Sequence, residues 1–328
     1  MQRCAAFLSR RMSGFVITLV IALAAAVLPS SFGTARADER TGPKRFAVGV
    51  LVITAFDVET RPWLEREHLP VRIDVPGAYR PLHCDRRGLC VAETGRGKTR
   101  VATSMTAILS SPRLDFRDAH FMSAGIAGTP PDAGTLGFAA WARWVVDWDL
   151  GHHVLPKTAP DIPYGYLPVD TGTNAFRLND ELVTRAYELT KDVELADSRE
   201  ARELRRRYPG QAGRRPYVDI CDTIAGDDYW AGRKLSETAQ YITDIWTHGQ
   251  GEYCTTQSTD TAVAAPLAAY GHLDRYLSLR TASNFDQPYP GQTIRELLTA
   301  PWQDIAVENA YRVGSVMADD LLARSAEG

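Results

Sequence analysis

The chain has 328 residues, of which 45% are hydrophobic and 23% charged, and its 37 Lys and Arg against 40 Asp and Glu leave a net charge of −3. That composition supplies a packed globular core and excludes a disordered or fibrous chain. The excess of acid excludes nucleic acid and anionic membrane as expected partners, because both call for a basic face.

Residues 1–37 read as an export leader. Arg3, Arg10 and Arg11 make a positive start, residues 15–28 are almost purely apolar, and Ala35-Arg36-Ala37 has the small-x-small form of a cleavage site. The apolar run is shorter than the roughly 20 residues of a spanning helix. Ser9-Arg10-Arg11 hints at a twin-arginine leader, although the apolar residues come late after the pair. The expectation is a signal peptide removed near Ala37, a periplasmic or secreted product, and one domain over residues 38–328; an uncleaved anchor is the alternative. Removal takes away Arg3, Arg10, Arg11 and Arg36 and no acid, so the net charge falls from −3 to −7.

Residues 46–54, FAVGVLVIT, form a continuous apolar, β-branched run, the pattern of a strand buried on both faces. Ala55-Phe56-Asp57-Val58-Glu59 follows at its end. Two carboxylates there suit a helix N-terminus, where each is worth about 0.3–1 kcal/mol. They also suit orienting a water or a sugar hydroxyl, although this stretch alone favours capping. A helix is expected over 59–67, with Pro62 tolerated in its first turn.

Four cysteines follow the leader: Cys84, Cys90, Cys221 and Cys254. An even count in an exported chain points to disulfides. The tight hairpin between Cys84 and Cys90 favours that pair and leaves Cys221 with Cys254; four buried free thiols are the alternative. Cys-x5-Cys is not a usual zinc spacing.

A strand over 89–94 leads through Gly95-Arg96-Gly97 into a helix over 98–109. Thr94-Gly95-Arg96-Gly97-Lys98-Thr99 resembles the end of a P-loop, but Ala92 stands where that motif requires glycine. A third strand is expected over 120–124. Residues 125–131 read as a loop: Gly125 and Gly128 are followed by Thr129-Pro130-Pro131, which leaves a dinucleotide fingerprint incomplete. No cofactor is expected. His152-His153 beside Asp147 and Asp149 read as surface, and no metal is expected. The chain also lacks a G-x-S-x-G elbow.

A strand is expected over 137–146, an amphipathic helix over 179–190, and a solvated charge-rich segment over 198–217. Helices follow over 234–248 and 259–270, then a last core strand over 275–282 and a final helix over 305–325. Alternating strands and helices imply a doubly wound α/β sheet, whose ligands sit outside the carboxyl ends of the strands. Asn284 and Asp286 come just after the last strand, ahead of the turn Pro288-Tyr289-Pro290-Gly291.

Together, AFDVETRPWL (55–64), TGRGKT (94–99), SAGIAGT (123–129), DTIAGDDYW (222–230), GEYCTT (251–256), RTASNFDQPYPGQ (280–292) and ENAYRVGS (308–315) resemble the purine nucleoside permease family. The resemblance runs from about Phe46 to the C-terminus. It implies the fold of the nucleoside phosphorylases and nucleosidases, a three-layer α/β/α sandwich with a mixed central sheet, and a purine nucleoside as ligand.

The resemblance also implies roles. Asn284 would read the purine's N7 edge; an amide both donates and accepts but cannot protonate N7 as an acid would. Glu59 would hold an attacking water and repel phosphate, so cleavage, if it occurs, would be hydrolysis rather than phosphorolysis. Gly125, after Ser123 and Ala124, would lie along ribose and base. Tyr229 or Trp230 would stack on the purine. Asp57, Gly95, Asp260 and Asp286 complete the expected contacts. Thr259 stands where relatives carry the glutamate that grips the ribose hydroxyls, a loss worth about 1.5–3 kcal/mol; either Asp260 compensates or the ribose is gripped differently. The function expected is nucleoside binding linked to uptake, with purine N-glycosidic cleavage as the alternative and retention of the fold without nucleoside affinity as a third reading. With no spanning segment after the leader, uptake would need a separate membrane transporter. Homo-oligomer formation is left open.

Overall fold

The computed structural model describes residues 45–327. The expected signal peptide and its cleavage point lie outside them. Among the described residues, no helix is long and apolar enough to cross a membrane.

The centre of the fold is the strand His120–Thr129. Val50–Thr54 runs parallel to its first half, with Leu51 opposite Phe121, and Tyr276–Phe285 runs parallel along its whole length. Tyr253–Gln257 meets its far end antiparallel, with Thr256 opposite Gly128. These strands belong to a mixed sheet of twelve. Their apolar side chains make them central: every residue of Val50–Thr54 is buried, and so is every residue of Tyr276–Phe285 except Asn284.

Helices cover the sheet to give a three-layer α/β/α sandwich. Ile305–Glu327 lies along the two central strands and packs against Asp57–Arg66 and Asp180–Thr190. Lys98–Leu109 packs against Asp260–Ala269, and Arg233–Thr247 lies on Tyr253–Gln257. Local chemistry sets these helix starts. Asn179 Oδ1 accepts from the Glu181 amide at 3.0 Å, and Ser198 Oγ accepts from the Ala201 amide at 3.0 Å.

Both expected disulfides form. Cys84 and Cys90 sit directly opposite each other on an antiparallel pair, and Cys221 bonds to Cys254 on another part of the sheet. The hairpin closes at Gly88, whose φ of +99° favours glycine; a Cβ there would fall 2.8 Å from the Gly49 nitrogen.

Four expectations need correction. The strand read over 46–54 is two, Phe46–Ala47 and Val50–Thr54, because the Gly49 amide turns aside to the Gly88 carbonyl at 2.9 Å. The loop read over 125–131 is strand as far as Thr129, since parallel pairing with Tyr276–Phe285 continues to Phe285 opposite Thr129. The strand read over 137–146 breaks into Ala139–Trp141 and Trp144–Asp147, and the Arg143 and Trp144 amides at the break donate to Asp222 Oδ1 at 3.0 and 2.7 Å. In the charge-rich stretch Arg205 is fully buried, donating to both carboxylate oxygens of Asp197 and to the Leu136 carbonyl.

Candidate functional site

The carboxyl ends of the central strands meet at a cavity of about 410 Å³, within the roughly 300–1,000 Å³ of small-molecule sites. Glu59, Thr259, Arg280, Asn284 and Asp286 contribute to its walls, with Tyr229 at its rim. Asn284 and Glu59, from the last and first core strand ends, therefore share one space.

Glu59 is 5% exposed. Its Oε2 accepts from the Ala55 amide at 2.7 Å and its Oε1 from the Ile126 amide at 2.8 Å. The side chain thus ties the turn after one strand to the middle of the next. Burial holds its pKa above the usual carboxylate range, although Arg280 and the two amides pull it down.

Arg280, an arginine inside an almost wholly buried strand, answers the buried acid Asp260. Its Nε donates to Asp260 Oδ2 at 2.8 Å, and its Nη2 donates to Asp260 Oδ1 and, at 2.7 Å, to Thr259 Oγ1. Ser278 and Tyr276 add hydroxyl donors to Asp260 at 2.6 and 2.9 Å, and the Tyr276 hydroxyl lies 2.7 Å from Ser123 Oγ. Burial opposes ionisation of Asp260, but Arg280 and these donors hold its carboxyl below the usual range. Between the guanidinium and Glu59 there is room only for glycine. A Cβ on Gly125 would lie 2.5 Å from Arg280 Nη1 and 2.6 Å from Glu59 Oε1.

Several expected contacts lie elsewhere. Ser123, Ala124 and Gly125 are beneath the cavity rather than in its lining. Asp260 is fully buried, with its carboxylate engaged by Arg280, Ser278 and Tyr276. Thr259 is at the wall, but its hydroxyl donates to Gln257 Oε1 at 3.2 Å and accepts from Arg280. Asp57 is exposed beside Arg61 and faces an adjoining hollow, and Gly95 sits in the turn against Arg100.

The two candidate stacking residues differ. Trp230 is stacked on Trp148, with centroids 5.0 Å apart, whereas Tyr229 is 69% exposed. Both line the cavity, and Tyr229 is the more exposed ring, its hydroxyl donating to Ser258 Oγ at 3.3 Å. Asn284 faces the cavity with Oδ1 accepting from Ser283 Oγ at 3.0 Å and Nδ2 donating to the Phe285 carbonyl at 3.1 Å. One amide hydrogen and one lone pair remain for a ligand. Asp147 and Asp149 are both engaged by Lys98 Nζ, at 2.7 and 2.6 Å.

The sequence reading missed Arg280 and the apolar wall of Phe56, Leu298 and Trp302. Arg280 had a signal: a charge within a buried strand requires a partner. The wall had none, because Leu298 and Trp302 belong to a short surface segment over residues 294–302.

Residues 47–326 match the family model described as purine nucleoside permease. A probable purine nucleoside permease of Schizosaccharomyces pombe is 32% identical over 312 residues, spanning 84% of this chain and 90% of the relative. A purine nucleoside permease of Candida albicans is 31% identical over 280 residues, spanning 77% and 68%. Among solved structures, futalosine hydrolase of Helicobacter pylori superposes with a TM-score of 0.56 at 15% identity, over 83% of this chain and 97% of that one. A 5'-methylthioadenosine/S-adenosyl homocysteine nucleosidase from the same organism gives 0.55 at 15% identity, over 84% and 100%. At such identity the likeness shows the fold alone.

Proposed function

The chain belongs to the purine nucleoside permease family, and from that premise we propose that it is an exported protein that binds a purine nucleoside in the cavity between Glu59 and Asn284, in a role linked to nucleoside uptake. The single observation that carries this reading is the shared space: a carboxylate, an amide and an exposed aromatic ring converge on one cavity of small-molecule size. The amide suits the edge of the base, Tyr229 its face, and Glu59 with Arg280 the sugar end. The leader-like residues 1–37 support export. Movement across a membrane would fall to a separate transporter, because backbone in lipid must be satisfied by helices or a closed barrel.

Titration of the full chain with adenosine, inosine and guanosine by calorimetry tests the reading. Saturable binding of at least one supports it, and no heat with any of them at millimolar concentration removes it.

Hydrolytic cleavage is the second reading, favoured by the position of Glu59. A water oriented by its carboxylate would attack C1′ and pass a proton to Glu59, the C–N glycosidic bond would break, and its electron pair would leave with the base, which takes a proton from solvent. A buried carboxylate in the same place disfavours phosphate as nucleophile. Free base appearing by chromatography, independent of added phosphate and absent in Glu59→Gln, would make this the better description.

A further inference from the structure

Lys98 opens the helix Lys98–Leu109 directly after the turn Gly95-Arg96-Gly97, whose Arg96 lines the cavity. Its ammonium group lies 2.7 Å from Asp147 Oδ2 and 2.6 Å from Asp149 Oδ2. Asp147 is 2% exposed and also accepts from Thr261 Oγ1 at 2.9 Å and from the Asp149 and Leu150 amides at 2.9 and 3.0 Å. Burial opposes the charge on Lys98, but the two carboxylates hold its pKa above the ordinary lysine value.

The same residue reaches the loop over residues 226–230, and by two routes. Its amide donates to Asp227 Oδ1 at 2.8 Å, and the Asp227 amide donates at 2.9 Å to Asp149 Oδ2, the oxygen that the ammonium group already holds. Lys98, Asp227 and Asp149 thus close a ring. The residues beside it are fixed as well. Gly226 lies so close to Trp148 that a Cβ on it would fall 2.9 Å from the Trp148 Cβ. The Trp148 indole donates to Asp228 Oδ2 at 3.3 Å, and its ring stacks on Trp230. Between Asp228 and Trp230 stands Tyr229, in the lining of the cavity. A ring carried on an unsupported loop would have to be ordered when a ligand arrives; a loop anchored on both flanks has met that cost beforehand.

We propose that Lys98 is a positioning residue of the ligand site: through Asp149 and Asp227 it holds the loop over residues 226–230 so that Tyr229 stands over the nucleoside. Lys98 acts through Tyr229 and does not itself touch the ligand. The proposal rests on the nucleoside reading above and adds to it the group that orders one wall of the cavity before binding.

Calorimetric titration of the full chain with adenosine, inosine and guanosine, repeated for Lys98→Met, Tyr229→Ala and the double variant, tests this as a cycle. Lys98→Met is expected to raise the dissociation constant about tenfold, the scale of one aromatic stacking contact, and less than about threefold once Tyr229 is alanine. A role confined to stability lowers the unfolding midpoint but costs the same factor of affinity in both backgrounds, or none, and either result overturns the proposal. Should Lys98→Met not fold, because it strands the charge of buried Asp147, Asp227→Ala takes its place in the cycle. Asp227 is exposed, and its truncation frees the loop while the ion cluster stays intact. Its cost in affinity should likewise fall below about threefold without Tyr229; equal costs in both backgrounds overturn the proposal. Tyr229→Ala binding as tightly as the natural protein overturns it too, since Lys98 would then have nothing to position. Absence of binding by the natural protein overturns the nucleoside reading and this proposal together; the other adverse results overturn this proposal alone.

Discussion

Arg280 and Thr259 are joined by a hydrogen bond from Nη2 to Oγ1 at 2.7 Å. The hydroxyl at the position of the expected ribose-gripping carboxylate thus already has its partner inside the protein. Thr259→Val should destabilise the fold by about 1–3 kcal/mol, because it leaves a guanidinium hydrogen unpaired in a buried place. Nucleoside affinity should change less than tenfold. Urea unfolding and calorimetry read the two quantities separately, and a much larger loss of affinity would mean that the hydroxyl reaches the sugar.

Arg280 and Asp260 form a buried ion pair, 4% and 0% exposed at their side chains. Truncating one partner strands the other charge. Arg280→Met or Asp260→Leu alone should cost about 3–5 kcal/mol, and the double variant should cost less than the two added together. Chemical denaturation of the three variants completes the cycle; additive losses would deny the coupling.

Gly125→Ala tests the wedge between Glu59 and Arg280. The added methyl meets a carboxylate oxygen and a guanidinium nitrogen inside van der Waals distance, so one of them must move. Overpacking of this kind costs about 1–3 kcal/mol. The midpoint of thermal unfolding should fall and nucleoside affinity with it. Unchanged binding would place the ligand away from this wedge.

Asp286 makes stability depend on pH in a known direction. Its pKa in the folded chain is about 7 against an ordinary 3.8, so the folded state holds the proton more tightly than the unfolded state. The associated stability is whole below about pH 4 and is lost as pH rises through 7, by about 4 kcal/mol at most. Asp286→Asn should therefore gain on the natural protein between pH 5 and pH 8 in urea unfolding. A constant difference across that range would contradict the assignment.

What could be read from the sequence followed from how local each signal was. Val50–Thr54 is apolar throughout and Lys98–Leu109 follows a glycine turn, so both were legible from short windows. Cys84 and Cys90 are six residues apart, close enough for a hairpin to suggest their bond. The strand character of Gly125 to Thr129 was not legible, because it comes from pairing with residues 280–285. Glu59 and Asn284 were recognisable through the family resemblance, whereas the burial of Asp260 depends on Arg280, Tyr276 and Ser278, brought to it by the sheet. The two short strands Val218–Ile220 and Asp222–Ala225 were missed for the same reason.

The bond between Cys221 and Cys254 has a practical consequence for preparing the protein. Cys254 directly follows Tyr253, the residue that donates to Asp286, and Cys221 directly precedes Asp222, which anchors the Glu252 amide at 2.7 Å. Recombinant material from a reducing host would begin without this tie, at the very strand that carries the phenol. Its redox history should therefore be fixed by thiol titration before ligand measurements from different preparations are compared.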